Sequence, residues 1–157
     1  MDAETKKKPT TDDHPQAARL EAVLYLLRSA NTDAAQDPLI VRWSDQLDFT
    51  TWVVNSRTQA GSFHIPSGSE IRGGIQGPQQ AFIFTDLDCW VMQYLGPPLV
   101  WGFNQIGTNC GLVGSNAVTN LYGRTYWMGT NNFFFTTGQG VQELPCTVWD
   151  TIFQNLD

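Results

Sequence analysis

AFIFTDLDCWVM, residues 81–92, joins two apolar runs through the polar turn TDLD. Short runs of β-branched and aromatic residues bounded by turn residues are typical of strands. The same order of features recurs in TYWMGTNNFFF, where Tyr126 follows Phe82 by 44 positions and Phe134 follows Trp90 by 44. An earlier copy, LIVRWSDQLDFTTW, begins at Leu39, 43 positions before Phe82. The chain from Leu39 onward is therefore predicted to consist of recurring pairs of strands.

A period in the low forties matches a four-stranded blade of a β-propeller. A β-meander without a true repeat would alternate in a similar way, so both interpretations are open. The runs follow one another too closely for crossover helices, which predicts antiparallel sheets. Over residues 37–157 we expect a mainly antiparallel all-β domain of propeller-like blades or a partial propeller. Three units do not close a propeller, so further blades are expected from other chains or from a longer polypeptide.

Helices are expected at both ends of this domain. Residues 1–36 are predicted to form a polar arm followed, from about Pro15 to residue 30, by an amphipathic helix with Leu20, Leu24 and Leu27 on one side. That apolar side is expected to dock on its own domain or on a neighbouring subunit. LPCTVWDTIFQNLD, residues 144–157, changes to a helical period and predicts a short closing helix.

The charge of the chain limits its partners. The 157 residues carry a formal net charge of −6, and only 15% of them are charged. Tight binding to nucleic acid requires clustered Lys and Arg, so it is disfavoured. An acidic protein still suits the border of a DNA channel, where adhesion would be harmful. The apolar run LEAVLYLL is too short to span a bilayer, so no membrane anchor is expected.

The three cysteines are Cys89, Cys110 and Cys146. They form no CxxC pair, and no Cys/His set has zinc spacing. An odd count without a signal peptide indicates thiols made in a reducing cytoplasm. The sequence therefore predicts neither a metal nor a cofactor.

Cys110 lies in the glycine-rich stretch NQIGTNCGLVGSN, residues 104–116. A nucleophilic cysteine needs a base, normally histidine, and a lowered thiol pKa. The chain has only His14 and His64, and the sequence places neither beside Cys110. A sharp backbone bend is the favoured interpretation, and a cysteine hydrolase is the less favoured one. The residues suited to that bend are Gly107, Asn109, Gly111 and Gly114.

Acidic and aromatic residues offer two further candidate sites. Asp45, Asp48, Asp86 and Asp88 lie in the turns of successive units, but their spacing fits neither a paired-carboxylate glycosidase nor a calcium loop. Turn capping is therefore favoured over a calcium or sugar site. Six tryptophans are enough for carbohydrate binding, but their positions in strand-like runs favour a β core.

Four stretches in unbroken order carry a family resemblance: RWSDQLDFTTW, AGSFHIPSGSEIRGG, WVMQYLGPPLVWGFNQIGTNCGLVGSNAV and YWMGTNNFFFTTGQGVQELPCTVWDTIF. They resemble the nozzle or hub proteins of short-tailed bacteriophages, whose relatives include tail tubular protein B and the packaged-DNA stabilisation proteins. The resemblance covers about residues 37–157. Its most specific part is the combination of GTNCGLVG, YWMG and LPCTV with a following helix. Members of that family are several times longer, and they have an aromatic-Asp-Gly turn where this chain has Thr-Gly.

The resemblance implies a propeller-like β platform with six copies around the tail axis and no catalysis. It also implies a channel that retains packaged DNA and later releases it. The matching positions, for which it implies a structural role, are Trp43, Ser44, Asp45, Gln46, Trp52, Gly107, Thr108, Asn109, Cys110, Gly111, Tyr126, Trp127, Met128, Gly129, Pro145 and Cys146.

We therefore expect a virion structural protein of a phage tail, made in the host cytoplasm. It is expected to oligomerise, as a ring with six-fold symmetry in the family, and to contact neighbouring tail or portal-adaptor proteins. DNA would pass without sequence-specific binding. A carbohydrate-binding β module used in host attachment is the alternative function.

Overall fold

The computed structural model describes residues 37–154 apart from 47 and 49. The arm and amphipathic helix predicted for residues 1–36 lie outside the described residues. The elements of the described part are β1 (Ile40–Trp43), β2 (Gly61–His64), β3 (Ile71–Gln76), β4 (Ala81–Thr85), β5 (Cys89–Gly96), β6 (Val100–Gly107), β7 (Val118–Leu121), β8 (Arg124–Met128), β9 (Phe133–Thr136), β10 (Val141–Leu144) and α1 (Trp149–Phe153).

The strands form three antiparallel sheets. Sheet I contains β1 and β2, sheet II has the order β3-β4-β5-β6, and sheet III has the order β10-β9-β8-β7. In sheets II and III each strand pairs with the next one along the chain, so both are four-stranded meanders. The predictions of a mainly antiparallel β domain and of a short closing helix are confirmed.

The 44-residue repeat relates equivalent strands of sheets II and III. Counted along the chain, β4 and β8 are the second strands of their sheets, and β5 and β9 are the third strands. Cys89 begins β5 and Phe133 begins β9, 44 positions later. The sequence repeat therefore corresponds to a repeat of strand order.

The earliest unit departs from the prediction. The second run of LIVRWSDQLDFTTW, FTTW, was expected to be a strand, but the described residues between 50 and 60 contain no strand, and β1 pairs with β2 instead. In this connection the carboxylate of Asp45 accepts hydrogen bonds from the backbone N–H groups of Gln46 (2.8 Å) and Gln59 (2.6 Å). The carboxylate of Asp48 accepts one from the N–H of Thr50 (2.9 Å). Such side-chain acceptors compete with a strand ladder for backbone donors, and here they hold a loop.

Sheet II is covered on both faces. All five residues of β4 are buried, which is unusual for an antiparallel strand because one face of such a sheet commonly meets water. Ala81 and Ile83 pack in a cluster with sheet I, whereas Phe82 and Phe84 pack in a second cluster with sheet III. Successive side chains of a strand point to opposite faces, so the unbroken apolar run of β4 supplies both clusters.

Candidate functional site

The loop of residues 107–114, which we call the junction loop, leads from β6 of sheet II to β7 of sheet III. Its backbone contacts both sheets. The N–H of Cys110 donates to the carbonyl of Leu87 (2.9 Å), and the N–H of Leu112 donates to that of Thr85 (3.0 Å), both at the end of sheet II. The N–H of Val113 donates to the carbonyl of Met128 (2.9 Å) at the end of β8. The loop therefore ties the two sheets together.

Cys110 is buried between these sheets, with 2% of its surface exposed. Burial raises the pKa of its thiol to about 11. Burial also raises the pKa of the neighbouring Cys89 thiol well above its ordinary value. The carbonyl of Cys110 accepts a hydrogen bond from Nε1 of Trp127 (2.7 Å). A protonated, buried thiol is a poor nucleophile, and this environment leaves Cys110 in that state at neutral pH.

No described histidine is placed to act as a base for Cys110. His64, on β2 of sheet I, has its Nε2 3.1 Å from Oδ2 of Asp37 and is largely exposed. Its strand neighbour Phe63 packs toward sheet II, so His64 points away from that sheet. Sheet II therefore separates His64 from Cys110. His14 lies outside the described residues.

The glycines of the junction loop allow close packing. A Cβ on Gly111 would overlap the carbonyl group of Asp86, and a Cβ on Gly107 would lie 2.7 Å from Sγ of Cys110. The left-handed backbone conformation belongs to Asn109, whose φ is 53°. A Cβ on Gly114 would meet no atom within 4 Å, and its φ is not positive, so nothing in the structure explains glycine there.

The other positions singled out in the sequence form two groups and a dispersed remainder. Trp127 and Gly129 join the junction loop, because Trp127 binds the Cys110 carbonyl and a Cβ on Gly129 would lie 3.0 Å from the carbonyl oxygen of Gly111. Trp43 and Asp45 both bind Gln59, close to sheet I. Nε1 of Trp43 donates to the carbonyl of Gln59 (2.8 Å), and the carboxylate of Asp45 accepts from the N–H of Gln59. The remaining positions are dispersed: Tyr126 is half-buried on the far face of sheet III, Trp52 and Cys146 are half-buried, and Pro145 is exposed.

The four candidate carboxylates act as hydrogen-bond acceptors in turns. Asp86 accepts from the N–H and the Oγ of Ser69, both at 2.7 Å. Hydrogen bonds from Thr50 and then Thr51 lower the pKa of Asp48 to about 2. The interpretation as caps of their own turns is confirmed for Asp45 and Asp48. The carboxylates of Asp86 and Asp88 accept instead from backbone N–H groups 17 and 21 residues away. Within residues 37–154, as far as they are described, no three His, Cys, Asp or Glu side chains are grouped to hold a metal ion.

One partner of the junction loop was not identified from the sequence. Asp88 is 2% exposed, and its carboxylate accepts hydrogen bonds from Nε2 of Gln105 (2.8 Å) and from the N–H of Asn109 (3.3 Å). Its own N–H donates to Oγ1 of Thr85 (2.8 Å), which is fully buried. The Thr-x-x-Asp spacing within TDLD is a signal of local capping, but it does not reveal the contact with Asn109, 21 residues away.

The chain was also compared with known proteins. No protein-family model matches it, and no curated protein matches it. Over the part of the chain that the structure describes, no helix has the length and apolar content needed to cross a membrane.

Replacing Gly111 with alanine tests the close packing of the junction loop. Because the added methyl group would overlap the carbonyl of Asp86, we expect Gly111→Ala to lower the free energy of unfolding by about 1–3 kcal/mol. Gly114→Ala is the matched control and should change it by less than about 0.5 kcal/mol, since that site is open. Urea unfolding followed by tryptophan fluorescence measures both. Equal stability of the two variants would contradict this account of the loop.

Thiol reactivity tests the state of the three cysteines. Cys89 and Cys110 are buried and have raised thiol pKa values, whereas Cys146 is half-buried. At pH 8 we expect a thiol reagent to modify Cys146 first, and Cys89 and Cys110 only when the protein unfolds. Mass spectrometry of peptides after timed labelling identifies the sites. Rapid modification of Cys110 in the native protein would show that its thiol is activated.

Proposed function

We propose that this protein is a structural subunit of a phage tail, of the nozzle or hub type, and that it acts in an oligomeric ring around the DNA channel. In this role it retains the packaged genome and later lets it pass. The proposal depends on one observation: the residues of the junction loop that resemble the family pack between sheets II and III. These residues, together with the tryptophan that binds the loop, have a structural role, as expected of architectural positions: Gly107, Cys110, Gly111 and Trp127.

The arrangement of the sheets supports a propeller-type platform. Propeller blades are four-stranded meanders that stack face to face. Sheets II and III are such meanders, they pack face to face, and they follow each other along the chain. Sheet I, with two strands, packs on the opposite face of sheet II as part of a further blade. We propose that the domain is a segment of a propeller-like ring of sheets.

The distribution of charge supports passage of DNA without adhesion. The described arginines lie on separate elements, at residues 42, 57, 72 and 124. One of them, Arg72, is already engaged by Glu70 (Nε to Oε1, 3.1 Å) and by the carbonyl of Val113 (3.0 Å). Nucleic-acid binding depends on clustered cations, and the net charge of −6 opposes it. A wall of the same sign as DNA would let a genome slide past.

We also propose that the protein is not an enzyme. The one candidate nucleophile, Cys110, is buried, has a raised thiol pKa and is separated from His64 by sheet II. Substituting Cys110 with serine should therefore leave assembly intact, provided that the fold survives.

A carbohydrate-binding module is the competing proposal. Trp90, Trp101 and Trp127 are at most 7% exposed, so their rings are not available for stacking on sugars. Trp149 is 39% exposed, and its Nε1 donates to the carbonyl of Asn131 (2.6 Å) and to Oδ1 of Asn132 (2.9 Å). A sugar site built on an exposed ring would use this indole, because the other described tryptophans are buried or half-buried. Its fluorescence would then change when host glycans are added.

Assembly and location test the tail proposal together. We expect light scattering after size exclusion to give a mass several times that of the 17.5 kDa chain, and electron microscopy to show rings with a central opening. Antibody against the protein should label the tail end of virions. Double-stranded DNA at physiological salt should show no measurable binding. A monomer at all concentrations that is absent from virions would refute the proposal.

A further inference from the structure

Sheet III has an apolar face that no other described sheet covers. Trp127 and Phe134 point into the cluster with sheet II, so their strand neighbours point the other way. These neighbours are Tyr126, Met128, Phe133 and Phe135, which we call the outer face of sheet III. The rings of Tyr126 and Phe135 stack with centroids 5.8 Å apart. Helix α1 reaches only one part of the face, where Phe153 meets Phe133 at 5.3 Å.

The repeat shows what this face is equivalent to. The residues of sheet II that sheet III covers are Phe82, Phe84, Cys89 and Val91, each at most 3% exposed. The residues 44 positions later are Tyr126, Met128, Phe133 and Phe135, in that order. All four are only half-buried. The outer face of sheet III therefore corresponds to the face of sheet II that sheet III covers. It is the surface on which a next sheet of the stack would pack.

Sheet I lies at the opposite end of the stack, and its outer face is the counterpart of the outer face of sheet III. Val41 and Phe63 pack toward sheet II, so Ile40, Arg42, Ser62 and His64 form the outer face of sheet I. Ile40 precedes Ile83 by 43 residues, and Ile83 precedes Trp127 by 44. Ile83 faces sheet I and Trp127 faces sheet II, so both point to the preceding sheet. The outer face of sheet I is thus the surface that a preceding sheet would cover.

We propose that the outer face of sheet III binds the outer face of sheet I of a second copy of this chain. This inference rests on the proposed function, for which it names the contact that closes the ring. The order I, II, III then continues into sheet I of the next copy. A contact between two different surfaces of identical subunits closes into a ring when the rotation permits, which is what a tail channel needs.

Side-chain chemistry also fits this contact. The outer face of sheet I presents the exposed Arg42, and the outer face of sheet III presents the rings of Tyr126, Phe133 and Phe135. Arginine stacks favourably on aromatic rings, as the guanidinium of Arg124 does 5.8 Å from the ring centroid of Phe135 in this chain.

Complementation between two blocked variants tests the inference. Phe135→Asp blocks the outer face of sheet III, and Arg42→Glu blocks the outer face of sheet I. Each variant alone should be a monomer by light scattering, because every contact in a head-to-tail ring uses both faces. A 1:1 mixture should form heterodimers, since one unblocked face of each kind remains. Tyr122→Asp is the matched control: Tyr122 is 95% exposed at the β7–β8 turn, outside both faces, and its variant should assemble like the wild type.

The possible outcomes separate the inference from the proposed function. Circular dichroism and the urea midpoint confirm that each variant folds, and Tyr126→Asp replaces Phe135→Asp if the latter does not. Loss of assembly in Phe135→Asp but not in Arg42→Glu would indicate face-to-face pairing and overturn the inference. Assembly of both variants as intact rings would also overturn it, while the tail proposal would stand. A monomeric wild-type protein that is absent from virions would overturn both.

Discussion

The burial of β4 on both of its faces is the constraint on which the rest of the structure depends. Its residues alternate between two clusters, so sheet II needs a covering sheet on each side. Phe84 and Ile83 are completely buried, and exposing either face would return several large apolar side chains to water. The stack of three sheets follows from this requirement, and so does the position of the junction loop, which must carry the chain from sheet II onto the layer that covers it.

The junction loop shows why a glycine-rich stretch with one cysteine suits a structural connection. The loop has to pass against the carbonyl of Asp86, and only a residue without a side chain fits at position 111. Its backbone donors are then satisfied by Leu87, Thr85 and Met128, so the connection is buried without leaving these polar groups unpaired. Free cysteine behaves as a small apolar residue in such a place, and Cys110 fills the space between Gly107 and Trp127.

Sequence reasoning found the strands whose apolar runs are continuous, such as β4 and β5, and missed those whose form depends on pairing. GSFH, IRGGIQ, VTNL and VQEL, the strands β2, β3, β7 and β10, are short, polar or rich in glycine. They are strands because an adjacent strand supplies hydrogen bonds, which a local pattern does not reveal. The strand predicted for FTTW was wrong for the opposite reason, because Asp48 takes up the backbone N–H groups of Thr50 and Thr51 with its carboxylate and its carbonyl. The junction loop was predicted as a bend from its glycines, but its partners Asp86 and Asp88 lie about 20 residues away and are set by tertiary packing.

The surfaces of sheet III differ in a way that favours assembly through faces and not through edges. Its edge strands, β7 and β10, expose Thr119 and Asn120 on one side and Gln142 and Glu143 on the other, with one exposed leucine at the end of each strand. Polar and charged residues on an edge strand discourage pairing with a strand of another chain. The face between them carries four apolar residues at positions where the repeat places buried ones in sheet II. Because the edges are mostly polar and the face is aromatic, a further layer would gain most by covering the face, as the proposed head-to-tail contact does.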